Sequence, residues 1–185
     1  MNEYLILVDE NDIPQGKQEK LLAHKLGLLH RAFSVFIFNT KNELLLQQRA
    51  DGKYHSAGLW TNSCCSHPGF GENITDAINR RLSQEMGMNC ETKFAFSFTY
   101  KIHFDNGLTE HEYDHVYFGI TDSVPIPEKS EVKNWKYIEA AALIADIKLH
   151  PQNYTEWFKI CLPQAITHFD TFYSNNLIRY FEHVA

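Results

Sequence analysis

The chain has 185 residues and a formal net charge of −6, with 17 Lys and Arg against 23 Asp and Glu. This length is typical of one domain with a substantial core, and the acidic balance without a basic block argues against a nucleic-acid partner. A hydrophobic content of 44% excludes a disordered chain. No apolar run reaches the roughly 18 residues of a membrane helix, and the N-terminus lacks the basic region of a secretory signal. We therefore expect a single cytoplasmic domain over residues 1–185.

The first part of the chain predicts strands and one helix around turns. The apolar run Tyr4–Val8 predicts a strand that ends in an acidic turn, and residues 18–30 have room for a short helix. Residues 32–38 predict a buried strand, and residues 44–48 predict the strand that returns from it in a hairpin. The segment 51–71 is a long loop rich in Gly, Ser, Asn and His, and such loops inside compact domains are usually functional.

The middle of the chain predicts a capped helix followed by a long hairpin. Asn73 is typical of a helix N-cap and Gly87 of a helix C-cap, with apolar residues at helical spacing between them. Residues 94–104 alternate, which predicts that the aromatic residues at 94, 96, 98 and 100 share one face. Asp105-Asn106-Gly107 is a strong hairpin turn, and residues 108–120 predict the returning strand.

The last part predicts a short strand over residues 135–138 and a helical segment over residues 139–185. Prolines predict breaks of this segment near Pro151 and Pro163. The whole order is typical of an α/β or α+β fold in which a mixed sheet lies between helices.

The motif Glu110-His111-Glu112 brings two carboxylates together. Residues two apart on a strand share a face, so both carboxylates point the same way and His111 points oppositely. Adjacent carboxylates repel unless a cation joins them or one keeps its proton. On the motif alone, a solvated face on an edge strand is the favoured interpretation.

The polar loop around Cys64, Cys65 and His67 offers reactive groups. A thiol in such a loop is suited to nucleophilic or acid–base chemistry, and the alternatives are a zinc corner or two small buried hydrophobic residues. Cys90 and Cys161 lack the paired CxxC spacing of a zinc site.

Three histidines and two carboxylates are candidate ligands of one metal ion. This nitrogen and oxygen mixture suits Mn²⁺, Fe²⁺, Mg²⁺ or Zn²⁺, although spacing alone does not show that the side chains converge. The candidates are His24, His30, His67, Glu110 and Glu112.

Basic residues near these loops are candidate phosphate ligands. Arg81 and Glu85 are i,i+4 neighbours on the capped helix, and Lys20, Arg49 and Lys53 lie beside the loops. On the motifs alone, a surface ion pair is the favoured interpretation of Arg81 and Glu85, and scattered cations on an acidic protein usually have no role. A diphosphate would need several of them at once.

The combination of these motifs resembles a known family. The pattern Glu72-x7-Arg80, followed by Leu82, Glu85 and Gly87, resembles a degenerate Nudix box. With the cysteine loop before it, two histidines upstream and the Glu-His-Glu motif downstream, the chain resembles the type I isopentenyl-diphosphate delta-isomerases from about residue 5 to residue 158.

The resemblance implies a Nudix-like α/β (α+β) domain with a mixed sheet sandwiched between helices. It also implies an isomerase that interconverts isopentenyl and dimethylallyl diphosphate by protonation and deprotonation, in isoprenoid biosynthesis. Cys65, rather than Cys64, matches the catalytic cysteine, and Glu112 matches the acid–base glutamate. Tyr100 matches the tyrosine at the reacting end of the substrate, and Trp157 matches the tryptophan over the hydrocarbon.

Ligands and partners follow from the same resemblance. The first metal site, for Mn²⁺ or Mg²⁺ with Zn²⁺ as an alternative, matches His24, His30, His67, Glu110 and Glu112. A second Mg²⁺ that accompanies the diphosphate matches Glu85 and the carbonyl of Cys65. The diphosphate-binding cations match Lys20, Arg49, Lys53 and Arg81. The expected partner is a small isoprenoid diphosphate, bound by a monomer or homodimer without nucleic acid or membrane.

Departures from the Nudix box bear on the reaction. Arg81 and Gln84 stand where a hydrolase box has glutamates that bind metal, which favours an isomerase over a hydrolase. A diphosphate hydrolase is the second hypothesis and a non-catalytic binding module the third. We assign no role to His111, Asp114 or His115.

Overall fold

A computed structural model describes the backbone of residues 3–184 and the side chains of residues 3–169 and 171–173. Ala185, the last residue of the predicted helical segment, lies outside the described residues. The strands in the described range are β1 (Tyr4–Val8), β2 (Pro14–Glu19), β3 (His30–Phe38), β4 (Glu43–Arg49), β5 (Trp60–Thr61), β6 (Cys64–Ser66), β7 (Thr92–His103), β8 (Thr109–Ile120) and β9 (Val132–Glu139). The α-helices are α1 (Lys20–Leu26), α2 (Ile74–Met86), α3 (Ala140–Leu149) and α4 (Glu156–Val184), with a 3₁₀ turn at Pro151–Asn153.

The sheet is mixed, as predicted, and β3 is its centre. Strand β3 runs parallel to β8 from the pair His30↔Glu112 to the pair Phe38↔Ile120, and antiparallel to β6. Strand β7 continues the sheet as the antiparallel partner of β8, joined by the predicted turn at Gly107 (φ 80°). These registers bring histidine, carboxylate and cysteine positions from distant parts of the chain to one end of the sheet.

Two hydrophobic clusters cover opposite faces of this sheet. Phe36 and Phe38 of β3 belong to the cluster that packs against α4, whereas Val35 and Ile37 belong to the cluster that packs against α2. Because neighbouring residues of a strand face opposite sides, helices cover both faces, which confirms the predicted sandwich. Within residues 3–184, no helix combines the length and the apolar content needed to span a membrane.

The early strands follow the predictions in part. Strand β4 returns from β3 as its predicted antiparallel partner, but the two pair only at Phe38↔Leu44, because β6 and β8 flank β3 and β4 pairs further along with β5 and β9. The segment after the acidic turn forms a strand that the sequence did not predict, β2, beside β1. The Asp9 carboxylate closes that turn by accepting bonds from the backbone N–H groups of residues 11 and 13.

The predicted aromatic face of β7 was wrong at one position. A bulge between Phe94 and Phe96 inserts one residue, so Phe94 pairs with Tyr117 and Phe96 with Val116, on the other face. Phe94 is therefore exposed, while Phe96 and Tyr100 are buried.

The helices follow the predicted caps, with one exception. The Asn73 carboxamide accepts a bond from the Thr75 N–H, and Gly87 ends α2 at φ 62°. The chain breaks near Pro151 as predicted, but Pro163 lies inside α4. The helix continues there because its neighbours Phe158, Leu162 and Ala165 pack in the core, which offsets the lost backbone hydrogen bond.

Candidate active site

Four buried side chains from four segments converge in one cluster. His24 comes from the last turn of α1, His30 begins β3, His67 follows β6 and Glu112 lies on β8. One candidate ligand atom of each residue lies within 4.8 Å of those of the other three. Gly27, in the left-handed conformation at φ 62°, turns the chain from α1 towards β3 and so permits this approach. The predicted convergence of the three histidines is therefore present in the structure.

The backbone fixes the tautomers of two of these histidines. The Nδ1–H of His24 donates to the Lys20 carbonyl at 2.7 Å, and the Nδ1–H of His30 donates to the Leu28 carbonyl at 2.8 Å. A ring protonated at Nδ1 alone offers its Nε2 lone pair to an ion; both Nε2 atoms are buried without a hydrogen bond, and that of His30 lies 3.5 Å from the Glu112 carboxylate. Two buried lone pairs aimed at one point beside a carboxylate fit a divalent cation. The cluster thus has the donor set of a divalent metal site.

The two carboxylates of β8 share a face, as predicted, and differ in charge state. Tyr100, opposite Glu112 in the sheet, donates to Glu112 at 2.5 Å and lies 3.4 Å from Glu110. Burial and the charge of Glu112 raise the pKa of Glu110 well above its usual value. Burial alone would also raise the pKa of Glu112, but the adjacent His30 and His67 hold it well below its usual value. In the absence of an ion, one carboxyl keeps its proton while the other is ionised.

Glu110 lies beside the four-residue cluster rather than among its closest ligand atoms. Its Oε1 is 3.3 Å from Nε2 of His55, a residue that sequence reasoning did not select. The His55 ring stacks on Phe104 and meets the edge of Trp157, so it forms one wall of the pocket. No motif in the sequence marks His55, because it comes from an irregular loop.

The two adjacent cysteines face opposite sides of the sheet. Cys64 is fully buried in the cluster under α2, whereas Cys65 lines the pocket. The Cys65 thiol donates to the Asn62 carboxamide at 2.8 Å and lies 3.7 Å from the Ser34 hydroxyl. Burial, with Asp114 nearby, raises the pKa of Cys65 to about 12. The group is therefore a neutral thiol at physiological pH.

Asp114 continues the face of Glu110 and Glu112, and sequence reasoning gave it no role. It is almost fully buried, and its carboxyl bonds to the Ser34 hydroxyl at 2.7 Å. Burial and Glu112 raise the pKa of Asp114 to about 8. The alternation along β8 was a usable signal for this residue, since positions 110, 112 and 114 have the same parity.

The predicted substrate-binding residues line the same pocket, as do Tyr100 and Trp157. Arg49 lies over the Trp157 ring at 5.2 Å, and Lys20 pairs with Glu3 at 3.0 Å. Lys53 contacts Glu131, which also lies 3.2 Å from Arg81.

Glu85 lies apart from the histidine cluster, and both of its oxygens have partners. Oε1 accepts from Arg81 at 2.5 Å, and Oε2 accepts from the Gln47 amide at 3.0 Å. Glu85 therefore belongs to the cationic end of the pocket, next to the candidate diphosphate ligands.

Comparison with known sequences shows which protein family this chain resembles. The NUDIX domain family model matches residues 28–158. The chain is 47% identical over 167 residues to isopentenyl-diphosphate Delta-isomerase 2 of Aromatoleum aromaticum, covering 90% of this chain and 88% of that protein. It is 50% identical over 159 residues to isopentenyl-diphosphate Delta-isomerase 2 of Photorhabdus laumondii, covering 86% and 90%.

Solved structures support the same fold. A Deinococcus radiodurans protein superposes with a TM-score of 0.65 at 19% identity, covering 80% of this chain and 90% of its own. A MutT NUDIX hydrolase from Burkholderia pseudomallei gives 0.59 at 21% identity, covering 74% and 97%. At these identities the likeness concerns the fold alone, and it confirms the predicted Nudix-like architecture.

Proposed function

This chain belongs to the NUDIX family and, within it, to the isopentenyl-diphosphate Delta-isomerases, and we propose that Cys65 and Glu112 are its acid–base pair. The enzyme interconverts isopentenyl diphosphate and dimethylallyl diphosphate in isoprenoid biosynthesis. One observation carries the residue assignment: a partly buried thiol and a buried carboxylate line one pocket whose other lining residues include four cationic side chains.

The reaction needs two acid–base groups. A proton added to the terminal alkene carbon creates a tertiary carbocation, and a proton lost from the carbon on its other side completes the shift. Cys65 holds its proton at physiological pH and Glu112 is ionised, so the pair begins with one donor and one acceptor. Because the reaction is reversible, the two groups exchange roles between the forward and reverse directions.

The carbocation needs stabilisation and protection from water. The indole of Trp157 is 3% exposed and offers a π-face to the cation. Tyr100 donates to Glu112 and lines the same pocket. Burial of these groups excludes the water that would quench the cation.

The diphosphate orients the substrate without taking part in the proton transfers. Lys20, Arg49, Lys53 and Arg81 supply positive charge and hydrogen-bond donors for it at the end of the pocket that also holds Glu85.

The donor set supports divalent metal binding, and we propose Mn²⁺ or Mg²⁺, with Zn²⁺ as an alternative, at this site. The residues that would hold it are His24, His30, His67, Glu110 and Glu112. When bound, the ion supplies positive charge that lets both carboxylates ionise at neutral pH. Glu85 and the Cys65 carbonyl are the proposed protein ligands of a second Mg²⁺ carried by the diphosphate.

We also propose that residues 1–185 act as one catalytic domain. The helical segment 139–185 belongs to that domain because its helix α4 supplies Trp157 to the pocket. The enzyme is proposed to be cytoplasmic and to work as a monomer or a homodimer, which light scattering of the purified protein would distinguish.

Proton NMR with isopentenyl diphosphate and Mg²⁺ in D₂O tests the proposed function. We expect dimethylallyl diphosphate with deuterium incorporated, and loss of this product in Cys65→Ala and Glu112→Gln. Release of phosphate would instead support a hydrolase. Intact substrate in the presence of Mg²⁺ and Mn²⁺ would contradict the assignment.

A further inference from the structure

Glu131 connects two elements that supply cations to the diphosphate end of the pocket. Its carboxylate contacts the Lys53 ammonium and accepts from the Arg81 guanidinium at 3.2 Å, both through Oε2. Lys53 lies on the irregular segment between β4 and β5, and Arg81 lies on α2. One carboxylate oxygen therefore links a loop to a helix in the lining of the pocket.

The position of Glu131 is itself fixed by the backbone. Its N–H donates to the Glu128 carbonyl at 3.0 Å, and its carbonyl accepts from the Ala50 N–H at 3.0 Å. The same segment is docked on the end of α2, where the Glu128 N–H donates to the Glu85 carbonyl at 3.0 Å. Glu131 thus holds the start of the loop through its backbone and the Lys53 side chain through its carboxylate.

Lys53 is a member of the cationic set that needs such a partner. A lysine has a flexible four-carbon stem and loses much rotamer freedom when it is ordered. Arg81, in contrast, is already held by Glu85 at 2.5 Å. If Lys53 is already ordered before the substrate binds, the free energy of diphosphate binding is not reduced by the entropy lost in ordering that side chain.

We propose that Glu131 is a positioning residue that pre-orders Lys53 and Arg81 for the substrate diphosphate. This inference rests on the proposed function, because it takes both cations to be diphosphate ligands. The opposing effect is electrostatic: a carboxylate near a diphosphate repels it. Ordering of the cations by Glu131 lowers KM, whereas repulsion between its carboxylate and the diphosphate raises KM. The proposal is that the ordering effect is the larger of the two.

Steady-state kinetics of Glu131→Ala and Glu131→Gln separate these effects. We expect the KM for isopentenyl diphosphate to rise about tenfold in Glu131→Ala, with kcat changed by less than about threefold. Glu131→Gln keeps an amide oxygen that accepts from both cations, so we expect it to restore most of the loss. Binding of inorganic pyrophosphate with Mg²⁺, measured by calorimetry, should weaken in parallel with the rise in KM.

Glu128→Ala is the matched control. Glu128 lies three residues earlier in the same segment, and its carboxylate accepts from Ser130 rather than from a pocket cation. We expect its KM to match wild type. Thermal unfolding of each variant checks that the fold is retained.

A double-mutant cycle with Lys53→Met tests whether Glu131 acts through Lys53. We expect Glu131→Ala to add little to the KM effect of Lys53→Met, because their contributions are coupled. An unchanged or lower KM in Glu131→Ala would overturn the inference. If Lys53→Met leaves KM unchanged, the diphosphate assignment of the proposed function fails instead.

Discussion

At the scale of single residues, the opposite faces of Cys64 and Cys65 make a direct test of the catalytic assignment. We expect Cys65→Ala to lower kcat by about 10²–10⁴-fold, because an acid–base group at the reacting centre is lost. Cys64→Ala removes a buried sulfur beside Glu85 but no group at the reacting centre, so we expect a lower unfolding temperature with a much smaller loss of kcat. Deuterium incorporation under identical conditions measures both variants. Equal losses at the two positions would argue against Cys65 as the reacting thiol.

Asp114 predicts a pH dependence of stability. The folded protein keeps the Asp114 proton up to about pH 8, whereas the unfolded chain releases it near pH 4. Between these values the unfolded state has lost a proton that the folded state retains, so this contribution to stability falls as pH rises.

Asp114→Asn removes this ionisation while keeping a side chain that bonds with Ser34. We expect the unfolding temperature of the variant, relative to wild type, to be higher at pH 8 than at pH 5, with both proteins in EDTA. A difference that stays constant across this range would show that Asp114 ionises normally in the folded protein.

The same residues show what the sequence made predictable. The shared face of Glu110 and Glu112 followed from the two-residue period of a strand, and Asp114 was within reach of the same rule. The contact of His55 with Glu110 was not predictable. It joins an irregular loop to a strand 55 positions later, and no periodic signal in the sequence marks it.

At the scale of elements, the conformation at the end of α2 predicts that replacing Gly87 by alanine lowers the stability of the fold considerably. Gly87 adopts φ 62°, and a Cβ atom there would lie 2.4 Å from the Ile126 carbonyl oxygen. Gly87→Ala therefore combines backbone strain with a clash against a segment that continues to Glu131. We expect it to lower the free energy of unfolding by about 2–4 kcal/mol in denaturant titrations.

Gly71→Ala separates the two causes. Gly71 also has a positive φ, of 84°, but an added Cβ would meet no atom within 4 Å. We expect a loss of about 1 kcal/mol there, from backbone strain alone. Equal losses at both glycines would show that the Ile126 contact is relieved by a local shift.

Elements defined by local signals were predictable, and elements defined by distant partners were not. The helix α2 carries its own caps at Asn73 and Gly87, so its bounds follow from neighbouring residues. Strand β2 and the bulge at Phe94 depend on pairing with β1 and β8, which local propensity does not encode.

At the scale of the whole molecule, the site is a product of long-range pairing. The parallel register of β3 and β8 places His30 beside Glu112, although 82 positions separate them in the sequence. Composition and spacing predicted which types of metal-binding side chain are present. Only the resemblance to a family predicted that these side chains lie together. The fold assembles these donors in a buried position, where leaving them without an ion has an energetic cost.

Metal removal should therefore destabilise the protein as well as inactivate it. The Nε2 atoms of His24 and His30 are buried without hydrogen-bond partners, and an ion would satisfy both. A ligand at 100 times its Kd stabilises the folded state by about 2.7 kcal/mol, which corresponds to about 5–10 °C for a chain of this size. We expect EDTA to abolish turnover and lower the unfolding temperature by this amount, with Mn²⁺ or Mg²⁺ restoring both.

His67→Gln and His103→Gln make the matched pair for this prediction. His67 lies in the cluster, whereas His103 bonds to Thr109 at 2.9 Å near the hairpin end. We expect the response of the unfolding temperature to Mn²⁺ to disappear in the first variant and to persist in the second. Full activity in EDTA with an unchanged unfolding temperature would mean that the cluster is held together without an ion. In that case the two neighbouring carboxyl groups would avoid repulsion only because Glu110, whose pKa is raised, keeps its proton.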